Sequence, residues 1–251
     1  MMSSLGRVSK GLLKNKFKIV SLILGIHILI LIAVQLWKAI QPQPNITSFT
    51  GSAFSAVLIG VIVIAVMNER IYINDKYRLI PISDGTLYSS NMLTSIVGLI
   101  YLIVGEILIY LASITVAPNK YDGFMVRSFN SVQQYLFKSE VLVAFILGII
   151  TVWAAITALH LLIDWVNDFL PFKNQSFVKI IVTVIVIWLF MIPVNFITGN
   201  VLRIMGINDL DSSFAAVSRV MYSGMAMMVI WIVIFTIISL YLLNKKSETV
   251  N

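Results

Sequence analysis

An all-α polytopic membrane protein is the fold class this sequence predicts, and three observations carry the prediction. Of 251 residues, 59% are hydrophobic and only 12% charged, and mean hydropathy is +0.95, far from the balance of a soluble domain. Apolar runs of about 20 residues, the length that crosses a bilayer as a helix, recur along the chain. Six of them are visible, at about 19–37, 51–67, 92–116, 141–163, 177–198 and 221–243. The polar residues collect between the runs, with no hydrophilic tract large enough for a soluble domain and no internal repeat. The expectation is one membrane domain over residues 1–251.

Ahead of the first run, residues 3–18 place Leu5, Val8 and Leu12 on one helical face and Arg7, Lys10, Lys14 and Lys18 on the other, in steps of three and four. That is a basic amphipathic helix, expected to lie in the headgroup layer with its cations toward anionic lipid. The first run ends on Gln35, Leu36, Trp37 and Lys38 and offers no small-residue cleavage site, so it reads as a retained span. The second run is short and needs Gly51 to Ala53 to reach across.

Between the second and third runs, residues 68–91 form a polar island with built-in structure. Ile73, Tyr77 and Ile80 share a helical face with Tyr72 and Leu79 beside them, and Arg70, Asp75, Lys76 and Arg78 fall elsewhere around the wheel. Pro81 stops this short helix and restricts Ile80 before it. Ser83-Asp84-Gly85 then makes a turn in which Ser83 or Asp84 can cap the next apolar helix, near Thr86. Apolar residues at helical spacing outside a bilayer need a surface to cover, which headgroups, neighbouring helices or a soluble partner would supply.

Orientation follows from the basic residues. With the N-terminus inside, twelve of the 18 Lys and Arg residues fall on the cytoplasmic side, which favours both termini in the cytoplasm. The outer segments would then be 38–50, 117–140 and 199–220, and the second and third hold aromatic or apolar residues (Phe129, Tyr135, Phe137; Phe214, Val217) able to form short helices at the outer face. The net charge of +7 does not indicate nucleic acid, because the basic residues flank apolar runs and anionic lipid is the fitting counterpart.

Inside the runs, polar residues are few and informative. Glu106 sits well within the third run, where a bare carboxylate costs at least ~2.5 kcal/mol. His27 in the first run is a candidate partner. The pair reads either as a proton or substrate-cation site or as a polar clasp between helices. His160 and Asp164 are one turn apart near the inner end of the fourth run; two ligands are too few for zinc, and a helix-end hydrogen bond is the expected role. Pro193 should kink the fifth run, with Asn195 near the freed backbone groups. No metal site is expected. Without cysteine, GxxxxGK[ST], HExxH or GxSxG, the chain carries no nucleotide cradle and no hydrolase signature, and it is not expected to be an enzyme or to hold a cofactor.

Asn68-Glu69-Arg70, then Tyr77-Arg78-Leu79-Ile80-Pro81-Ile82-Ser83, then Leu87-Tyr88 leading into the third run, resemble the permease subunit of type-2 ABC transporters, as does the order of a basic helix and six spans. The resemblance covers nearly the whole chain in topology and about 25 residues in motif. It implies that residues 68–91 hold a cytoplasmic coupling helix in which Glu69, Arg70, Asp75, Tyr77, Arg78 and Pro81 contact a separate ATPase subunit. It further implies that ATP and magnesium bind that partner, that a second permease, identical or different, completes the assembly, and that the protein lies in a bacterial cytoplasmic membrane. Compact permeases of this kind in Gram-positive bacteria export, or protect against, amphipathic peptides such as bacteriocins. A rival expectation is a membrane scaffold without a transport cycle, and a third is an ion-coupled carrier centred on Glu106.

Overall fold

The computed structural model describes residues 4–40, 49–73, 82–116, 130–168, 176–204 and 214–248. Of these, 98% are helical and none is in a strand. Six helices result: α1 (Ser4–Ile40), α2 (Phe49–Ile73), α3 (Asp84–Val116), α4 (Ser131–Asp168), α5 (Ser176–Ile204) and α6 (Phe214–Glu248). Five of them, α1, α2, α3, α4 and α6, are long and apolar enough to cross a membrane. In α5 the apolar stretch Ile180–Ile192 is shorter, and the helix continues through position 193. Large apolar side chains stand on the outer surfaces of the helices, Leu29 and Leu108 more than half exposed among them. Such surfaces are tolerated in lipid and not in water. The chain is a multi-pass, all-helical membrane protein.

The helices group into two compact units, Met1–Gly123 and Phe124–Asn251, although the sequence carries no visible boundary there. Among the described residues each unit holds three helices.

In the first unit, α1 and α3 run parallel. Lys16 meets Asn91 to Ser95 at one level and His27 meets Glu106 at another, so both helices ascend together. α2 runs against them, with Asn68 at the level of Lys16 and Gly60 at that of Leu102. The buried positions show why these faces meet. They are Leu12, Lys16, Val20, Ile23, Leu24 and His27 on α1, and Ala56, Gly60, Ile64, Asn68 and Tyr72 on α2, stripes at helical spacing.

Close approach of the helices depends on two glycines. A Cβ on Gly60 would collide with the terminal methyls of the fully buried Leu102, and one on Gly105 would lie 2.5 Å from Leu24 Cδ1. We expect Gly60→Ala to cost about 1–3 kcal/mol by overpacking, and the penalty to shrink sharply in a Leu102→Ala background. Thermal unfolding of the four chains of that cycle in detergent checks it; additive losses would show that Leu102 is not the obstacle.

Three local expectations change. Residues 3–18 and the first run do not form separate helices: α1 is continuous from Ser4 to Ile40. At about 1.5 Å per residue its 37 residues extend about 55 Å, beyond a hydrocarbon core of about 30 Å. Gly11 and the basic residues do not break it, and Leu12 is buried against Ile71 and Leu87, with Val8 and Ile82 at the edge. The amphipathic segment therefore docks on α2 and α3 and does not lie apart from them. Residues 68–73 and 84–91 are likewise the last turns of α2 and the first turns of α3, and the expected short helix over Ile73, Tyr77 and Ile80 falls mostly outside the described residues. The outer aromatic segments near 132–137 and 214–217 are the opening turns of α4 and α6.

Ser83 caps α3. Its backbone carbonyl accepts from Leu87 N at 3.0 Å, and its Oγ accepts from Thr86 N at 3.3 Å.

In the second unit α4 and α6 run parallel, since Glu140 meets Ser218 and Gly148 lies beside Met228. α5 opposes α6: Trp231 Nε1 donates to Thr198 Oγ1 at 3.2 Å, and the Phe190 and Phe235 rings stack at 5.4 Å. Its core is Trp153, Ala154, Thr157, Ala158 and Leu161 of α4 with Met227, Trp231 and Phe235 of α6. Asn130 and Gln133 start α4 with a reciprocal capping box, at 2.9 and 3.1 Å.

Candidate functional site

The polar interior of the first unit contains two sites on the same pair of parallel helices. The lower one is built around Lys16. The position continues the stride of Leu12 toward Val20, so the helix aims this lysine inward while Lys10, Lys14 and Lys18 stay exposed. Its side chain is 1% exposed. Nζ lies within hydrogen-bond distance of Asn68 Oδ1 (2.9 Å), Asn91 O (2.9 Å), Asn91 Oδ1 (2.7 Å), Thr94 Oγ1 (3.1 Å) and Ser95 Oγ (2.5 Å). All five oxygens belong to neutral groups, so the charge is solvated by dipoles and not by a counter-ion.

The cage is braced from behind. Ser95 Oγ faces Asn68 Oδ1 and Asn91 O at 2.7 Å each, and Thr94 Oγ1 faces Ser90 O at 2.8 Å. Asn91 Nδ2 donates to the Tyr72 hydroxyl at 2.9 Å, and the Tyr72 and Tyr88 rings stack at 6.1 Å. The end of α2, the start of α3 and the first turns of α1 are therefore one hydrogen-bonded assembly beside the Leu12, Ile71 and Leu87 cluster.

The upper site is His27 with Glu106. Lys16 and His27 are eleven positions apart, about 16 Å along the helix axis. His27 Nδ1 and Glu106 Oε1 are 2.9 Å apart, with the side chains 4% and 6% exposed. One proton lies between the two atoms, carried by the imidazole or by the carboxyl. Glu106 Oε2 is buried without a hydrogen-bond partner among the described residues. A carboxylate so placed is expensive in an apolar surround, and this is the kind of group that marks an ion path or an interhelical clasp.

The remaining candidate residues are spread out. Glu69 is half-buried and Arg70 exposed on the last turn of α2, while Asp75, Tyr77, Arg78 and Pro81 lie outside the described residues. His160 and Asp164 are both half-buried on α4, in the second unit. Among the described residues no three His, Cys, Asp or Glu side chains gather as a metal site. That unit has its own polar contact: the Ser218 hydroxyl reaches Glu140 Oε1 and Oε2 at 3.1 and 3.0 Å, and Tyr222, one turn on, also bonds Glu140.

Sequence reasoning missed Lys16, Asn68, Asn91, Thr94 and Ser95 as a group. The signal was Lys16 itself, the one cation of the N-terminal segment in register with Leu12 and His27. Asn91, Thr94 and Ser95 supplied a second signal, a polar patch on the opening turns of an apolar helix.

Fold and site together define a multi-pass helical membrane protein with buried polar contacts between its spans. Comparison with protein-family models, with curated proteins and with solved structures finds no match.

Proposed function

We propose that the chain is the membrane-spanning permease subunit of an ATP-driven transporter of the type-2 ABC class. One observation supports this most. The described residues on both sides of segment 74–81 are fastened to α1: Asn68 and Ile71 on one side, and Ile82, Leu87 and Asn91 on the other, join Leu12 and Lys16. A segment meant to pass the motion of a soluble ATPase to a helical bundle needs stiff attachments at both ends, because a slack joint would absorb the displacement. Glu69 and Arg70 stand at the rim of this joint, and Asp75, Tyr77, Arg78 and Pro81 complete the proposed contact surface.

In this reading the ATPase is a separate subunit that binds ATP and magnesium, and a second permease completes the pathway. The cargo is an amphipathic peptide or another lipophilic molecule, moved across a bacterial cytoplasmic membrane with both termini of this chain inside. The test is purification from native membranes in mild detergent. A soluble ATPase should accompany the parent chain and be lost from Tyr77→Asp, while the variant elutes as the parent does. Absence of any ATPase, under conditions that keep other membrane complexes together, overturns the reading.

The buried His27 and Glu106 pair favours one alternative, an ion-coupled carrier. That reading requires transport without an ATPase and its loss in Glu106→Gln.

A further inference from the structure

Lys16 Nζ is surrounded by oxygen. Five oxygens lie between 2.5 and 3.1 Å from its Nζ, whereas an ammonium group has only three hydrogens to donate. The shell therefore offers more oxygens than one lysine can use singly. Its make-up is selective: amide and backbone carbonyls with two hydroxyls, and no carboxylate. Rings of neutral oxygen dipoles are how proteins replace the hydration shell of a monovalent cation. Divalent ions are held mainly by carboxylates.

The supply of donors behind the shell matters as much. Ser95 Oγ can give its single proton to Asn68 Oδ1 or to Asn91 O, and Thr94 Oγ1 can give its own to Ser90 O or Asn91 O. Neither reaches Asn91 Oδ1, whose donor is Lys16. With the cation taken away, the two hydroxyls can still serve Asn68 Oδ1 and Asn91 O, but the buried Asn91 Oδ1 loses its donor. The shell also draws on two helices, Asn68 from α2 and the other three residues from α3, while the cation comes from α1.

We propose that the oxygens of Asn68, Asn91, Thr94 and Ser95 form a binding site for a monovalent cation of ammonium or potassium size, filled in this chain by the tethered ammonium of Lys16. Occupancy of the site locks the first turns of α1 to the end of α2 and the start of α3. The proposal concerns the cage alone, so its test and the co-purification test fail separately.

Chemical rescue tests it. In the full chain in mild detergent, Lys16→Ala empties the cage, and the unfolding midpoint in tetramethylammonium chloride should fall by about 10 °C. Exchange at constant ionic strength into ammonium, methylammonium or potassium chloride should restore at least half of that loss and leave the parent unchanged. Lys16→Met, which fills the space with an apolar chain, should fall likewise and gain nothing from the exchange. Equal midpoints for Lys16→Ala in all four salts would overturn the proposal.

A second measurement needs no substitution of Lys16. In the parent chain in membranes, a small amine-acylating reagent should modify Lys10, Lys14 and Lys18 and spare Lys16. Asn91→Ala should raise Lys16 labelling about tenfold by removing a charged hydrogen bond. Lys16 reacting as fast as Lys14 in the parent, or unchanged in Asn91→Ala, would overturn the proposal equally.

Discussion

Glu106→Leu should lower the unfolding midpoint by about 10 °C, and His27→Leu added to it should return the midpoint close to that of the parent. The asymmetry comes from desolvation. His27 and Glu106 are both nearly fully buried and joined at 2.9 Å, so removing the carboxyl leaves a buried imidazole nitrogen facing leucine, a loss of about 3–5 kcal/mol for a broken buried pair. Replacing both partners by apolar groups of similar bulk removes the desolvation along with the bond and comes out near neutral. Thermal unfolding of the parent, the two single variants and the double variant in one detergent measures this. A double variant no better than Glu106→Leu would mean that the cost lies in packing and not in the unpaired polar group. A stable double variant then gives a clean tool for the carrier reading, because any transport it loses cannot be ascribed to misfolding.

Trp153→Ala should destabilise the second unit by about 3–5 kcal/mol, the usual cost of emptying a large aromatic site. Trp153 is 1% exposed and lies in the row of Ala154, Thr157, Ala158 and Leu161 that turns α4 inward. Its nearest neighbours along the row, Ala154, Thr157 and Ala158, are small, so the helices close around the indole and cannot fill the space it leaves. Trp153→Phe keeps most of the ring and should cost markedly less. Amide exchange is the sharper readout: protection should drop across α4 and α6 in Trp153→Ala. Unchanged protection in both helices would show that the indole is not what holds them.

That the chain holds several apolar helices long enough to cross a bilayer was legible because a bilayer imposes its own pattern on a chain. Runs of about 20 apolar residues announce themselves without any partner. Ser83 was legible as a cap for an equally local reason, since a hydroxyl three residues before the first free amide needs nothing distant. His27 could be nominated for Glu106 from the scarcity of polar residues in the spans, but no local feature set their distance. Lys16 shows where such reading stops. By residue type it belongs with the cations at the membrane surface, and by register it belongs with Leu12 and His27. Residue type was the wrong guide, because its partners lie 52 to 79 residues away.

By itself, then, the sequence determined that this is a helical, multi-pass membrane protein and which few side chains would be costly in lipid. These properties depend on hydropathy, spacing and short-range hydrogen bonds, all set within a few turns of chain. Only the tertiary structure decided that α1 is unbroken and docked, that the described helices fall into two compact units, and that Lys16 is caged by Asn68, Asn91, Thr94 and Ser95. The reason is physical. In a chain that is apolar all round, hydrophobicity does not say which faces meet, so the choice falls to close approach at Gly60 and Gly105 and to buried polar groups that must find one another across the helices.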